Sequence, residues 1–238
     1  MRIYGINPVL EALRAKRVTA IRVSARGDDR LAAIARLAEE QRIPVRRAKV
    51  FELDRVAGGG SHQGVVADVH DLGRVTIGDL VSGAAGAPLI VVLDQIEDPH
   101  NVGAILRSVD AAGGHGVVRQ SRHAARLDGA AAKASAGAVA HVKVAEVVNI
   151  ARALDILKAV GVWTVGLAGD APKRYDELDL TLPTAFIVGA EGTGLRRLVR
   201  ERCDWLVSIP MQGHVQSLNV SVATGVVLFE AVRQRRGI

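Results

Sequence analysis

The chain has 238 residues, of which 49% are hydrophobic and 24% are charged, and its formal net charge is +6. These values exclude wholesale disorder, a collagen-like chain and a coiled-coil rod. The length allows one large domain or a small domain followed by a medium one. Cys203 is the only cysteine, which excludes an intrachain disulfide and a cysteine-based zinc site, and we predict no metal.

The first twenty residues carry five charged side chains and no uninterrupted apolar run, which predicts no signal peptide and a cytoplasmic location. Residues 205–229 contain no formal charge and are long enough to cross a bilayer. Pro210, Gln212 and Asn219 interrupt this stretch with groups that hydrocarbon penalises, so we predict no membrane partner.

The first 70 residues predict a small α/β domain, because short apolar runs alternate with amphipathic ones. Asn7 followed by Pro8 is typical of a helix start, with Asn7 as the cap. The predicted elements are a helix ending at Arg14, strands at 20–24, 43–46 and 65–69, and helices at 31–41 and 51–56. Residues 71–87 are rich in Gly and Ala without sustained periodicity, and we predict a linker there.

Basic residues are concentrated in this first domain, where 13 Lys and Arg stand against 8 Asp and Glu. The remaining residues hold 18 against 17. Solvated helix faces and a surface that faces a polyanion both explain such an excess. Charge alone leaves the two open.

Residues 88–238 predict a second α/β domain. Residues 89–93 form a continuous apolar and β-branched run, typical of a parallel strand buried on both faces. Further strands are predicted at 162–167, 185–188 and 205–209, with helices at 102–112, 150–160, 195–201 and 217–234.

Three loops of this domain contain candidate catalytic or ligand-binding side chains. After strand 89–93, Asn101 is placed to cap a helix that carries Arg107, whose planar guanidinium suits a phosphate or an oxyanion. Taken alone, this pair is better explained by a plain helix cap and a surface charge.

A second loop, 189–194, has the spacing G-x-x-G-x-G and includes Glu191. This spacing matches neither a dinucleotide fingerprint nor a P-loop, which disfavours nucleoside triphosphate hydrolysis. By itself it is better explained as an ordinary strand-to-helix turn.

The third segment runs from Ile209 through Met211 and Gly213 to Ser217 and Asn219, at the start of a long apolar helix. Ser217 and Asn219 again have capping as the plain explanation. His214 is typical of an exposed, passive loop histidine.

Residues 94–107, 189–195 and 209–225, in this order, resemble the three motifs of the SpoU or TrmH family of RNA ribose 2′-O-methyltransferases in the SPOUT superfamily. Three further segments, 3–5, 62–64 and 133–138, are similar to the subgroup that methylates a guanosine of large-subunit ribosomal RNA.

The resemblance implies a small N-terminal α/β RNA-binding domain and a C-terminal SPOUT α/β domain with a parallel sheet and a trefoil knot. It implies S-adenosylmethionine as cofactor, RNA as partner with no DNA expected, and a homodimer. The implied cofactor-binding residues are Gly189, Ile209, Met211, Gly213 and Leu218. The implied catalytic residues are Asn101, Arg107, Glu191, Ser217 and Asn219.

Arg107 is the base in accounts of the family, but arginine keeps its proton in proteins. We therefore expect Arg107 to hold an RNA phosphate and stabilise the developing 2′-oxyanion. Asn101, Ser217 and Asn219 are expected to position Arg107 and the ribose, and Glu191 to orient Arg107 or Asn101.

Several alternatives remain at this point. A transfer RNA guanosine or a ribosomal RNA adenosine could be the target, and a non-catalytic RNA-binding ribosome-assembly protein is the alternative from another class. A Rossmann-type enzyme is disfavoured, because no Gly-rich turn follows strand 89–93. A predicted apolar stripe supports a dimer, although an ordinary core helix explains it too; the stripe comprises Leu218, Val222, Gly225, Val226 and Phe229.

Overall fold

A computed structural model describes residues 1–25, 29–70, 73–122 and 124–237. Two separate sheets, one of four strands and one of seven, divide these residues into a first and a second domain. Asp71 and Leu72 of the predicted linker, and Ile238 at the predicted domain end, lie outside the described residues.

The first domain alternates strands and helices, as predicted. Its elements are β1 (Arg2–Tyr4), α1 (Ile6–Arg14), β2 (Val18–Ser24), α2 (Asp29–Glu40), β3 (Val45–Ala48), α3 (Val50–Ala57) and β4 (Val65–Val69). The sheet order is β1-β4-β2-β3, with β2 and β3 parallel and the other pairs antiparallel. The predicted cap of α1 is wrong, because the helix begins at Ile6 and follows Gly5, whose φ of 97° a glycine adopts without strain.

A short helix, α4 (Ile77–Ser82), lies inside the predicted linker. Thr76 caps it and exchanges hydrogen bonds with Asp79. Ile77 and Leu80 are buried against the second sheet. Six residues are too few to show a helical period, so the sequence pattern missed this helix.

The second domain is built on a parallel sheet with helices on both faces. Its elements are β5 (Leu89–Asp94), α5 (Pro99–Ala111), β6 (Gly116–Gln120), α6 (Gly129–Ala134), β7 (Val144–Val147), α7 (Ile150–Ala159), β8 (Trp163–Leu167), β9 (Lys173–Arg174), β10 (Thr184–Gly189), α8 (Arg197–Arg202), β11 (Trp205–Ser208) and α9 (Val220–Arg235). The strand order is β7-β6-β5-β10-β8-β11-β9. Helices α5 and α9 pack on one face, and α4, α7 and α8 pack on the other.

This order places the carboxyl ends of β5, β10, β8 and β11 side by side. All three polar loops singled out in the sequence leave the sheet at this edge, where open α/β sheets bind ligands. The fold class is as predicted, and the trefoil knot stays a prediction.

The two domains share a continuous apolar core. Arg17 is buried between them and donates hydrogen bonds to the carbonyl oxygens of Val139 and His70, each at 3.0 Å. His141 of the second domain lies 3.1 Å from the carboxylate of Glu11 on α1. Within the described ranges, no helix has the length and apolarity to cross a membrane.

Candidate active site

Helix α5 begins earlier than predicted, and this changes the role of Asn101. Asp98 is the N-cap and accepts a hydrogen bond from the His100 backbone N–H at 2.9 Å, with Pro99 in the first turn. The predicted capping role of Asn101 is therefore wrong. Since Asn101 lies inside the helix and is largely buried, its side chain is available to the neighbouring loops.

Three polar side chains from the three loops form a closed hydrogen-bonded triangle. Asn101 Nδ2 donates to Glu191 Oε1 at 3.1 Å. Asn219 Nδ2 donates to the same oxygen at 2.7 Å and to Asn101 Oδ1 at 2.9 Å. Hydrogen bonds to an ionised carboxylate are stronger than neutral ones, so Glu191 holds both amides in fixed orientations.

Asn219 is also the N-cap of α9. Its Oδ1 accepts hydrogen bonds from the Ser221 backbone N–H at 2.9 Å and from the Ser221 hydroxyl at 2.6 Å. One side chain thus starts the C-terminal helix and joins it to α5 and to the loop after β10. The predicted capping role of Asn219 is confirmed, and its catalytic role stays a prediction.

A second connection lies behind the triangle. Asp94, at the end of β5, is fully buried and accepts hydrogen bonds from the Arg196 backbone N–H at 2.9 Å and from Arg196 Nε at 2.7 Å. Arg196 Nη2 donates to Gln120 Oε1 of β6 at 3.1 Å. This arginine therefore fixes the end of the 189–195 loop to two strand ends.

The 189–194 turn is tight enough to require glycine at its first position. A Cβ on Gly189 would lie 2.2 Å from the carbonyl carbon of Gly194. Gly194 donates its backbone N–H to the carbonyl oxygen of Ala190 at 2.8 Å. Gly192 and Gly194 both have positive φ, which favours glycine. The turn brings Glu191 back toward α5.

A cavity of about 630 Å³ opens between the loops that follow β8, β10 and β11. Gly189, Ile209, Met211 and Leu218 of the predicted cofactor set line it, and Gly213 is not among its lining residues. Glu191, Ser217 and Asn219 lie at the same cavity, while Asn101 lies in an adjoining cleft that shares Glu191.

Arg107 stands apart from the triangle, and Ser217 lines the cavity without a hydrogen bond to any member of the triangle among the described residues. Arg107 is exposed on α5 and makes no hydrogen bond or ion pair with another residue in the described part of the chain. At about 1.5 Å rise per residue, it lies about 9 Å along the helix from Asn101. Its guanidinium is available to a ligand.

Two features of the site were missed from the sequence. Leu167, Ala168 and Gly169 line the cavity at the end of β8, and a predicted strand followed by Gly was the available signal. Arg196 carried no signal, because its partners are Asp94 and Gln120, far away in the chain.

Two family models match different parts of the chain. The model of the SpoU rRNA Methylase family matches residues 88–229, and a model described as RNA 2′-O ribose methyltransferase substrate binding matches residues 2–74. The chain belongs to the SpoU rRNA methylase family. This membership confirms the predicted family.

Curated relatives match nearly the whole chain. A protein of Pseudomonas syringae pv. tomato named 23S rRNA (guanosine-2′-O-)-methyltransferase RlmB is 46% identical, with 98% of this chain and 96% of the relative covered. The RlmB of Photobacterium profundum is 44% identical, with 98% of both chains covered.

Solved structures of SpoU methyltransferases have the same fold as this chain. The SpoU methyltransferase AviRb from Streptomyces viridochromogenes, solved in complex with AdoMet, superposes with a TM-score of 0.85 at 26% identity, covering 100% of this chain and 91% of AviRb. Together these findings confirm the predicted fold class, enzyme class and cofactor. The chain is an RNA ribose 2′-O-methyltransferase of the S-adenosylmethionine-dependent SpoU type.

Proposed function

We propose that this enzyme methylates the ribose 2′-hydroxyl of a guanosine in 23S ribosomal RNA. The observation that carries the proposal is the hydrogen-bonded triangle of Asn101, Glu191 and Asn219 at the rim of the cavity. The names of the RlmB relatives, which align over nearly the full chain, support this target.

Residues 1–70 serve as the RNA-binding domain in this proposal, and residues 88–238 as the methyltransferase domain. Residues 71–87 connect them and include α4, which packs on the second sheet. The partner is RNA and not DNA, and the location is the cytoplasm, where ribosomal RNA is found in bacteria.

The cavity fits S-adenosylmethionine in size and chemistry. Its volume of about 630 Å³ lies within the usual ~300 to 1,000 Å³ of small-molecule sites. Ile209, Met211 and Leu218 provide apolar walls for a flat adenine ring, and the loop at Gly189 lets the backbone approach it. Gly213, in the same loop as Met211, completes the proposed cofactor set.

The bound cofactor supplies an electrophilic methyl group. The enzyme must then align a ribose 2′-hydroxyl, a weak nucleophile at neutral pH, within about 3 Å of that methyl group. We assign the orientation of the ribose to Asn101, Ser217 and Asn219, since two of them are already fixed by Glu191. Glu191 is a positioning residue in this scheme.

Arg107 holds the RNA phosphate next to the target ribose and stabilises the negative charge that develops on the 2′-oxygen. Its exposed guanidinium, without a partner among the described residues, supports this role. An arginine that keeps its proton donates several hydrogen bonds from a planar group, which suits a phosphate and an oxyanion together.

A second copy of the chain completes the proposed assembly. Val222 and Phe229 of α9 are 51% and 50% exposed and lie two helical turns apart on one side of the helix, and Leu218, 37% exposed, lies just before the helix begins. Exposed apolar side chains at this spacing form a continuous stripe that a dimer would cover. Sedimentation equilibrium at micromolar concentration tests this, and a monomer would contradict the dimer.

The function is tested by methyl transfer from radiolabelled S-adenosylmethionine to unmodified total RNA, followed by separation and nucleoside analysis. We expect label in 2′-O-methylguanosine of 23S RNA. Label in transfer RNA, or in an adenosine, would keep the reaction and overturn the target. Cofactor binding without label in any RNA, including ribosome-assembly intermediates, would instead favour the non-catalytic assembly protein.

A further inference from the structure

One face of the first sheet carries a row of arginines. Arg2 on β1, Arg22 on β2 and Arg46 on β3 each come from a different strand. The strand pairing places Arg2 opposite Asp68 of β4, and Arg22 directly opposite Arg46. Residues opposite each other, or two apart on a strand, point to the same face.

The opposite face of this sheet is the core, where Ile3, Ile21 and Val23 pack against α1 and α2. On the arginine face, α3 covers only one end, through Leu53 and Ala57. The arginine row lies beyond that end, with side-chain exposures of 47% for Arg2, 29% for Arg22 and 74% for Arg46. Three strand spacings of about 4.8 Å make the row about 14 Å long.

Folding alone does not explain this arrangement. Arg22 and Arg46 are like charges at paired positions of neighbouring strands, which destabilises a sheet. Arg46 has its nearest carboxylate, Glu52, at 3.8 Å and is 74% exposed. An anionic ligand placed across the two strands would remove the repulsion.

Asp68 orients two of the three arginines. Its oxygens accept from Arg2 Nε at 2.9 Å and from Arg22 Nη1 at 2.8 Å. Burial raises the pKa of this carboxyl, but the hydrogen bonds from Arg2 and Arg22 outweigh burial and lower the pKa below its ordinary value. One carboxylate shared by two guanidinium groups leaves an excess positive charge.

The row continues toward the methyltransferase domain. Arg2 and Asp68 line a cleft of about 530 Å³ together with Arg126 and Asp128, which come from the second domain. The Arg126 side chain is 88% exposed. A strand that follows the row therefore reaches the loop before α6, a helix that packs on α5.

The positive charge of the arginine face indicates which ligand it binds. Arginine is the side chain best suited to bind phosphate with two parallel hydrogen bonds. The aromatic ring of this face belongs to Tyr4, which is buried beneath α3 and so cannot stack on a base. The face therefore matches the phosphate backbone of a nucleic acid and not its bases.

We propose that Arg2, Arg22 and Arg46 bind consecutive phosphates of the substrate ribosomal RNA and guide the strand past Arg126 to the active site. This inference rests on the proposed function and assigns the surface through which the first domain acts. Such contacts position the RNA without reading its sequence, and they make binding depend on salt.

The test compares two double variants of the full chain. Arg22→Gln with Arg46→Gln removes two charges from the row, and Arg30→Gln with Arg36→Gln removes two exposed charges from α2 of the same domain. Affinity for an unmodified 23S rRNA transcript is measured by filter binding from about 50 to 200 mM salt. Cofactor affinity and thermal unfolding show that each variant is folded.

For the row variant we expect about tenfold weaker RNA binding and a salt slope reduced by about 0.7 to 0.9 per arginine, with unchanged cofactor affinity. The α2 variant should stay within about twofold of wild type. Equal RNA affinity of the two variants, with wild-type methyl transfer intact, overturns the surface and leaves the proposed function standing. No RNA binding by the wild type overturns both.

A second variant changes binding in the opposite direction. Asp68→Asn removes the carboxylate that competes with phosphate for Arg2 and Arg22, while the strand pairing is kept. We expect about twofold to fivefold tighter RNA binding with a steeper salt slope. Unchanged or weaker RNA binding by a folded Asp68→Asn variant overturns the role of the row.

Discussion

Arg196 Nε lies 2.7 Å from Asp94 Oδ1, and this pair joins the loop that carries Glu191 to the strand that leads to Asn101. Asp94 is fully buried, and the Arg196 backbone N–H donates to its second oxygen. A buried carboxylate without its cation is costly. The pair therefore holds two site loops in one relative position.

Replacing Arg196 tests this connection. We expect Arg196→Ala to lower the free energy of unfolding by about 3 kcal/mol, because Asp94 stays buried without its partner. The KM for S-adenosylmethionine should rise as the 189–195 loop loosens. Arg196→Lys should recover only part of both losses, since lysine cannot bridge Asp94 and Gln120 at once.

The adjacent Arg197 provides the control. It pairs with Glu201 on the exposed side of α8, so Arg197→Ala should change stability by less than about 0.5 kcal/mol and leave the KM for the cofactor unchanged. Equal unfolding free energies of the Arg196→Ala and Arg197→Ala variants would show that the pair has no such role.

Glu191 is expected to act through its fixed acceptor oxygen. Glu191→Gln keeps an oxygen for the amides of Asn101 and Asn219 but removes the charge, so we expect kcat to fall by about tenfold. Glu191→Ala removes the acceptor and should lower kcat by a further tenfold or more, on the order of one charged hydrogen bond. Steady-state kinetics with both variants measure the difference, and identical kcat values would contradict the positioning role.

Arg107 is expected to act through its geometry. Arg107→Lys keeps the charge but loses the planar set of donors, and we expect kcat to fall by about 100-fold. Cofactor affinity, measured by calorimetry, should stay the same because Arg107 does not line the cavity. Near wild-type turnover with an unchanged pH profile would mean that any cation suffices there.

Gly189 is expected to tolerate no side chain. Since its Cβ would lie 2.2 Å from the Gly194 backbone, Gly189→Ala should destabilise the fold by at least about 3 kcal/mol. Gly78 in α4 is the comparison, because its Cβ would meet only the Thr76 hydroxyl at 3.6 Å. Gly78→Ala should stabilise by about 0.5 to 1 kcal/mol. Urea unfolding measures the change in the free energy of unfolding for both variants. Changes of the same sign in Gly189→Ala and Gly78→Ala would contradict the steric explanation.

Cys203 should be unreactive in the folded protein. Burial, followed by the nearby Asp204 carboxylate, raises the pKa of this thiol to about 12. The thiolate is the reactive form, so alkylation at pH 8 should be much slower than in urea. Because the folded pKa lies above the unfolded value of 9.0, the stability that the neutral thiol contributes is complete below pH 9 and is lost as the pH rises toward 12. Equal alkylation rates with and without urea would contradict this.

The amino-acid sequence alone predicted most elements whose pattern is local. The buried strand 89–93 and the helix 150–160 were placed within one or two residues, because burial on both faces makes a strand a continuous apolar run and burial on one face gives a helix an apolar period. The short strands β6 and β7 were missed, since four or five residues with charged members show no clear alternation.

The sequence also determined the candidate site as a set of residues, through three motifs whose order and spacing resemble one family. Only the tertiary structure decided which of these residues meet. Asn101, Glu191 and Asn219 form one network, whereas Arg107 stands apart on the same helix as Asn101. The order of strands brings the three loops to one edge, and strand order depends on pairings between distant segments.

The same physical reason explains why the basic residues of the first domain can be counted from the sequence but not assigned to a surface. A basic excess in the first 70 residues was visible by composition. Register between β1, β2, β3 and β4 decided that Arg2, Arg22 and Arg46 share one open face, while burial decided that Arg17 joins the two domains. Hydrogen-bond partners far apart in the chain, such as Arg196 and Asp94, exist only once the sheet has formed.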